Sequence, residues 1–283
     1  MLAINQLREK AQNIRLALFD VDGTIIGPDG QFSPRTKNAI SVLQSRGVST
    51  AIASGRPPFG THHLQKALGL TSMGSFYAGA MLFEPSSGYC LVHHPLNNEL
   101  SSIVQSVKAD KLYLEVYTEN QYWVDSDSEV ARAHSEILRV KPKVSPFIES
   151  VIADQPVMKI LIGAEDVEGK SASSRLKAIE MLHPEFNFAY AKMASHPRWQ
   201  FASVLSGEVN RELSIERLAD YYGIQSCQIM AFGDAQSDFA FIKKAGLGIA
   251  MGDAPLEVKE VANYVTGRAG DDGVANAIQS LFE

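Results

Sequence analysis

Asp20 and Asp22 stand two positions apart in the run Leu18-Phe-Asp-Val-Asp-Gly-Thr24. At the end of a strand that spacing lets both carboxylates face one site. Two ionised carboxylates held that close repel unless one keeps its proton or a cation lies between them. A hard, oxygen-liganded ion such as Mg²⁺ relieves the repulsion, leaving one carboxylate to act as nucleophile and the other as acid. A second motif, Ser54-Gly55-Arg56, offers a hydroxyl and a backbone amide that can hold a phosphate where a helix begins. A third, Gly233-Asp234-Ala-Gln-Ser-Asp238, carries two more carboxylates. Singly, each has a plainer reading as an Asp-Gly turn, a turn with a cap, or an N-capping aspartate. Together they place groups suited to a phosphate and a divalent cation at the ends of three strands.

The elements that must position them are legible in the hydrophobic pattern. Ile14 to Asp20 is a compact apolar run that reads as a buried strand. Ser33-Pro34 supplies an N-cap with proline in the first turn, and Gly47 a stop, predicting a helix of three to four turns between them. Val48 to Ala53 forms the next strand, followed by a helical stretch from Pro58 to Leu68. The same grammar returns late: helix Asn210 to Tyr222, strand Gln228 to Phe232, helix Ser237 to Ala245, strand Leu247 to Met251 and a final helix up to Leu281. Strands alternating with helices imply a parallel sheet, beyond whose carboxyl ends ligands bind. The middle has a different texture, with strand-like runs at Tyr89–Val92, Leu112–Tyr117, Val157–Ile162 and Phe186–Tyr190. The expected organisation is an α/β core domain from residues 1–82 and 198–283, with an inserted α+β domain over 83–197.

The chain has 283 residues, and at roughly 150 residues per domain that length favours two domains. With 26 basic and 32 acidic side chains the net charge is -6, which gives a nucleic-acid polymer no basic footprint. Two cysteines, Cys90 and Cys227, make neither a disulfide framework nor a zinc cage, and a reducing cytoplasm is the expected setting. Neither a secretion signal nor a membrane span is expected, since Arg8, Glu9 and Lys10 interrupt the start and no long apolar run follows.

Asp20-Val-Asp-Gly-Thr24, Ser54-Gly-Arg56, and Gly233-Asp-Ala-Gln-Ser-Asp238 followed by Ala245-Gly-Leu-Gly-Ile-Ala-Met-Gly-Asp-Ala254 resemble the haloacid dehalogenase superfamily. The chain is most similar to its Cof-type phosphatases with a IIB cap. The resemblance implies a Rossmann-like doubly wound core, a mobile α+β cap and Mg²⁺-dependent hydrolysis of a small phosphorylated metabolite, a sugar phosphate or nucleotide-like phosphomonoester, through an aspartyl-phosphate. It implies Asp20 as nucleophile and Asp22 as general acid and base. Asp20, Asp234 and the Asp22 carbonyl would hold the metal, supported by Asp238, while Ser54, Gly55, Arg211 and Ser237 would bind the phosphate. The chain departs from the family pattern: Arg211 replaces a lysine and Glu212 a glycine, Ser237 and Asp253 replace asparagines, and Tyr77-Ala-Gly-Ala80 stands for Asn-Gly-Ala. Arginine holds an oxyanion differently from a compact ammonium. A phosphomutase on the same scaffold and a catalytically weak phospho-ligand sensor are the rival readings.

Other residues draw plainer expectations. His62-His63 and His93-His94 cannot share a face as neighbours and lack zinc-type spacing. Tyr113, Tyr117, Tyr122 and Trp123 are expected in the core of the inserted domain, and Arg139, Lys141 and Lys143 in a solvated loop.

Overall fold

The computed structural model describes residues 3–96, 100–193, 196–209 and 211–282. The chain divides into two compact units, one made of Met1–Gly55, His62–Val92 and Asn210–Glu283, the other of Arg56–Thr61 and His93–Val209.

The first unit begins with β1 (Leu16–Phe19), β2 (Ser49–Ile52), β3 (Gly74–Phe76), β4 (Met81–Glu84) and β5 (Tyr89–His93). The second contributes β6 (Tyr113–Tyr117), β7 (Tyr122–Val124), β8 (Lys143–Val144), β9 (Lys159–Glu165), β10 (Phe186–Lys192) and β11 (Trp199–Ser206). The chain then returns to the first unit for β12 (Ile229–Gly233), β13 (Leu247–Ala250) and β14 (Tyr264–Val265).

The first unit is the expected Rossmann-like α/β sheet, with strands in the order β14-β13-β12-β1-β2, all parallel. Every residue of β1 is buried, as a strand covered on both faces requires. Phe19 is in register with Ile52 and Phe232, and its ring stacks on that of Phe232 at 4.9 Å. That register brings the residues after all three strands to one edge. The helix Pro34–Ser45 starts where expected, the Ser33 hydroxyl accepting the Thr36 N–H at 3.0 Å, and Gly47 takes the left-handed conformation after it. The helix expected from Asn210 runs over Arg211–Tyr222; Asn210 itself lies outside the described residues.

A second sheet in this unit, in the order β3-β4-β5, was not read from the sequence as such. Against junctions expected after 82 and before 198, the units divide at 92/93 and 209/210, with β5 apart from His93 in the first and β11 in the second.

The second unit is α+β, with a six-stranded sheet in the order β10-β11-β9-β6-β7-β8. One face buries Leu114, Val116, Ile160, Ile162, Ala202 and Val204 in a cluster with helix residues such as Ile103, Val107 and Leu176. On the alternate positions Glu115 is fully buried, accepting hydrogen bonds from the Tyr113 and Tyr117 hydroxyls and lying 2.8 Å from His134 Nδ1. Tyr117 and Tyr122 are buried and stacked at 5.1 Å, and Trp123 packs on the apolar cluster, so these aromatics are core. Arg56–Thr61 belongs to this unit although its chain neighbours on both sides do not. Phe59 stacks on Tyr117 and Tyr122 at 6.5 and 6.4 Å, and Arg56 Nη1 donates to the Ile137 carbonyl at 2.8 Å. That carbonyl lies in the last turn of the helix Glu129–Leu138, where it lacks an intrahelical donor. Among the described residues no helix is long and apolar enough to cross a membrane.

Candidate active site

The carboxyl edge of the parallel sheet gathers the acidic residues. Asp20 follows β1 directly, its N–H bonded to the Phe232 carbonyl at 3.0 Å, and Asp234 follows β12. Oxygens of Asp20, Asp234 and Asp238 lie within 4.8 Å of one another. Gly23 makes this approach feasible: it adopts φ +77°, and a Cβ there would stand 2.2 Å from Asp234 Oδ2. Thr24, buried beneath, donates its hydroxyl to Asp234 Oδ1 at 3.1 Å.

Crowding of like charges in a dry place has the expected electrostatic result. Burial, with the charges of Asp238, Asp234 and Asp22, raises Asp20 well above the ordinary carboxylate range against the pull of Arg211. Asp234 is pushed up to about 7, by burial first and then by Asp238, Asp22 and Asp253, while the Thr24 hydrogen bond opposes the rise. Asp238 is committed differently. It is 1% exposed, with Oδ2 accepting the N–H groups of Asp234 and Ala235 at 3.0 Å each and Oδ1 lying 2.7 Å from Arg211 Nη1. The three carboxylates form an all-oxygen donor set of the type that suits a hard divalent cation, and such an ion removes the repulsion that raises Asp20 and Asp234.

The remaining expected residues surround this cluster. Asp22 is exposed, and its carboxylate is outside the three-residue set. Ser54 is buried at the end of β2, its N–H bonded to the Ser75 carbonyl at 2.8 Å and its carbonyl accepting the Ala78 N–H at 3.0 Å. Gly55 follows it as the last residue of the first unit's opening segment, with open space where a Cβ would be. Tyr77 and Ala78 both take positive φ, 50° and 55°, which is costly for residues with a Cβ. Ser237 sits exposed in the turn Gln236–Asp238. Among the described residues neither histidine pair joins a metal-ligating group, and His93 faces Glu119 at 2.8 Å and His94 faces Glu208 at 3.4 Å.

Two participants escaped the sequence reading, and a third sits closer to the centre than expected. Thr24 lies inside the first motif, but nothing in its spacing shows that its hydroxyl reaches Asp234. The Ala53 carbonyl, which accepts from Arg211 Nη2 at 3.4 Å, is a backbone group that a side-chain pattern does not register. Asp238 was expected as a support for the metal shell, and its oxygens lie among those of the cluster itself.

The family model described as haloacid dehalogenase-like hydrolase matches residues 17–278. YitU of Bacillus subtilis (strain 168), a 5-amino-6-(5-phospho-D-ribitylamino)uracil phosphatase, is 25% identical over 276 residues, covering 94% of this chain and 97% of its own. The phosphatase YwpJ of the same organism is 25% identical over 297 residues, covering 95% and 100%. Among solved structures, a haloacid dehalogenase-like hydrolase from Bacteroides thetaiotaomicron superposes with a TM-score of 0.82 at 24% identity, over 95% of this chain and 100% of that one. A sugar phosphatase of haloacid dehalogenase subclass IIB superposes with a TM-score of 0.77 at 23% identity, over 94% and 98%. These superpositions carry the fold, a parallel-sheet core with an inserted α+β unit.

Proposed function

The chain belongs to the haloacid dehalogenase-like hydrolase family and is a phosphoric monoester hydrolase; from that premise we propose that it hydrolyses a small phosphorylated metabolite in the cytoplasm through an aspartyl-phosphate on Asp20. The observation that carries this reading is the Asp20, Asp234 and Asp238 cluster at the carboxyl edge of the parallel sheet, one strand from the Ser54 turn.

In the first half-reaction an Asp20 carboxylate oxygen forms a bond to phosphorus as the bond from phosphorus to the ester oxygen breaks, and Asp22 gives its proton to the departing alkoxide. In the second, Asp22 takes a proton from water, the water oxygen attacks phosphorus, and the bond to Asp20 breaks to release inorganic phosphate. The exposure of Asp22 suits a group that meets both an incoming ester and water. Ser54, the Gly55 amide and Ser237 hold the phosphoryl oxygens, with Arg211 contributing its positive charge, and Asp20, Asp234 and the Asp22 carbonyl would hold Mg²⁺. Bound there, the ion supplies positive charge to the phosphoryl oxygens. The first unit acts as the catalytic core and the second as the cap that selects the leaving group.

One relative acts, by its name, on a phosphorylated ribityl chain and one structural neighbour on sugar phosphates, so the substrate sought here is a phosphomonoester of a polyhydroxylated carbon chain. The test is phosphate release from an aryl phosphate and from sugar, sugar-alcohol and nucleotide monophosphates, with and without Mg²⁺, beside Asp20→Asn. Metal-dependent release that vanishes in the variant is expected. Isomerised sugar phosphate in place of free phosphate would indicate a mutase, and tight ester binding with turnover no higher than the variant's a sensor.

A further inference from the structure

Arg211 opens the helix Arg211–Tyr222, and its side chain is 13% exposed. Nη1 donates to Asp238 Oδ1 at 2.7 Å and to the Ser237 carbonyl at 2.8 Å, while Nη2 donates to the Ala53 carbonyl at 3.4 Å. Its Cζ lies 5.8 Å from the centre of the Phe241 ring, which limits its swing. Asp238 passes the constraint on, because its second oxygen holds the backbone N–H groups of Asp234 and Ala235. Gly233 completes the fit: a Cβ there would stand 2.6 Å from Asp238 Cβ. One path of hydrogen bonds therefore runs from Arg211 through Asp238 to the backbone that aims Asp234. Another runs to the carbonyl just before Ser54.

We propose that Arg211 is a positioning residue, which shapes the acidic cluster through Asp238 before any ligand arrives and anchors the Ser54 turn through the Ala53 carbonyl. The proposal rests on reading that cluster as the cation site of a phosphatase. Arginine fills this role where lysine cannot fully do so. The bonds to Asp238 and Ala53 leave from different nitrogens of a planar fork, whereas an ammonium donates from one point. Lysine would keep the pair with Asp238 and lose the reach to Ala53.

Simple electrostatics and positioning give opposite signs for removal of this side chain. Deleting a positive charge beside three carboxylates strengthens their attraction for a divalent cation. Unlocking Asp238 instead lets Asp234 drift and weakens it, and groups that orient metal ligands typically account for 10- to 100-fold in affinity.

The experiment titrates Mn²⁺, as a probe of a hard-oxygen site, into the full ligand-free chain at pH 8 by calorimetry, with circular dichroism as the folding check. Arg211→Met is expected to weaken Mn²⁺ binding by about ten-fold or more, Asp238→Asn likewise, and the double variant no further than the worse single one. Arg211→Lys is expected to stay within about three-fold for Mn²⁺ while weakening inorganic phosphate by about five-fold or more. Equal or tighter Mn²⁺ binding by Arg211→Met overturns the proposal, as does additivity in the double variant. Should Arg211→Met fail to fold, the lysine variant decides alone, since unchanged phosphate affinity removes the Ala53 anchor and with it the proposal. Mn²⁺ affinity is read without substrate, so a failure of Asp20→Asn to abolish phosphate release would count against the phosphatase reading and leave this one standing.

Discussion

Cation binding to the ligand-free chain should depend steeply on pH, and the slope follows from Asp234. Its pKa stands at about 7, raised chiefly by burial and by Asp238. Below pH 7 the carboxyl is mostly protonated, and a cation must displace that proton to bind. The apparent Kd for Mg²⁺ then rises by about ten-fold for each pH unit below 7 and flattens by about pH 8. Asp20 is raised as well, so displacement of its proton steepens the slope further. The stability of the ligand-free chain changes in the matching sense. For a carboxyl raised on folding, the stabilisation is complete below the ordinary carboxylate pKa and is lost as pH climbs through the folded value, so the Tm falls between about pH 4 and 7. Saturating Mg²⁺ should restore it, most strongly at the alkaline end. Titration calorimetry from pH 5.5 to 8.5, in two buffers of different ionisation enthalpy, counts the protons released. An affinity flat across that range, with no proton release, would mean that both carboxylates are already ionised without the ion, and the electrostatic account of the site would be refuted.

Gly23→Ala should cost more than about 1 kcal/mol in stability and at least ten-fold in Mg²⁺ affinity, since the left-handed backbone is strained for alanine and the new methyl overlaps Asp234; denaturant melts and calorimetry check both. Thr24→Val removes the hydroxyl that favours ionised Asp234, so the midpoint of the pH dependence of Mg²⁺ binding should move upward, and an unmoved midpoint would show that the bond has no such role. Glu115 is opposed by burial, yet His134 and the Tyr113 and Tyr117 hydroxyls hold its pKa below the ordinary value. Its stabilisation is therefore complete above the ordinary carboxylate range and lost as pH falls through the folded value. Glu115→Gln should flatten the acid limb of the Tm profile and lower the plateau by about 3–5 kcal/mol-equivalent, as for a broken buried pair; equal melting of both proteins at pH 7 would contradict it.

The core was legible because parallel strands buried on both faces read as short apolar runs closed by turn residues, and Leu16–Phe19 and Ile229–Gly233 do so, while Ser49–Ile52 does so only in its second half. The chemistry was legible for a related reason, since each motif sits where one of those runs ends. The register that makes Asp20, Ala53 and Asp234 neighbours is a property of strand pairing, which periodicity does not encode. Short strands such as Gly74–Phe76 and Tyr122–Val124 carry too few alternations to stand out from loops. Trp199–Ser206 was hidden by the proline-bearing stretch before it, which resembled a junction between domains. Arg211 was recognised by its position, but its two-way attachment depends on which nitrogen meets which loop.

The hexapeptide Arg56–Thr61 changes what it means to call the second unit an insertion. A cassette cut at 93 and 209 would strand Phe59 without the two tyrosines on which it stacks, and Arg56 without the carbonyl at the end of Glu129–Leu138. The module is thus written in two places in the gene, a long stretch and a short one that directly follows the Ser54-Gly55 turn. Recombination that exchanges only the long stretch breaks the module. Chimaeras that exchange both pieces together keep each aromatic contact with its partner, and the unit of modular inheritance in this chain is the pair.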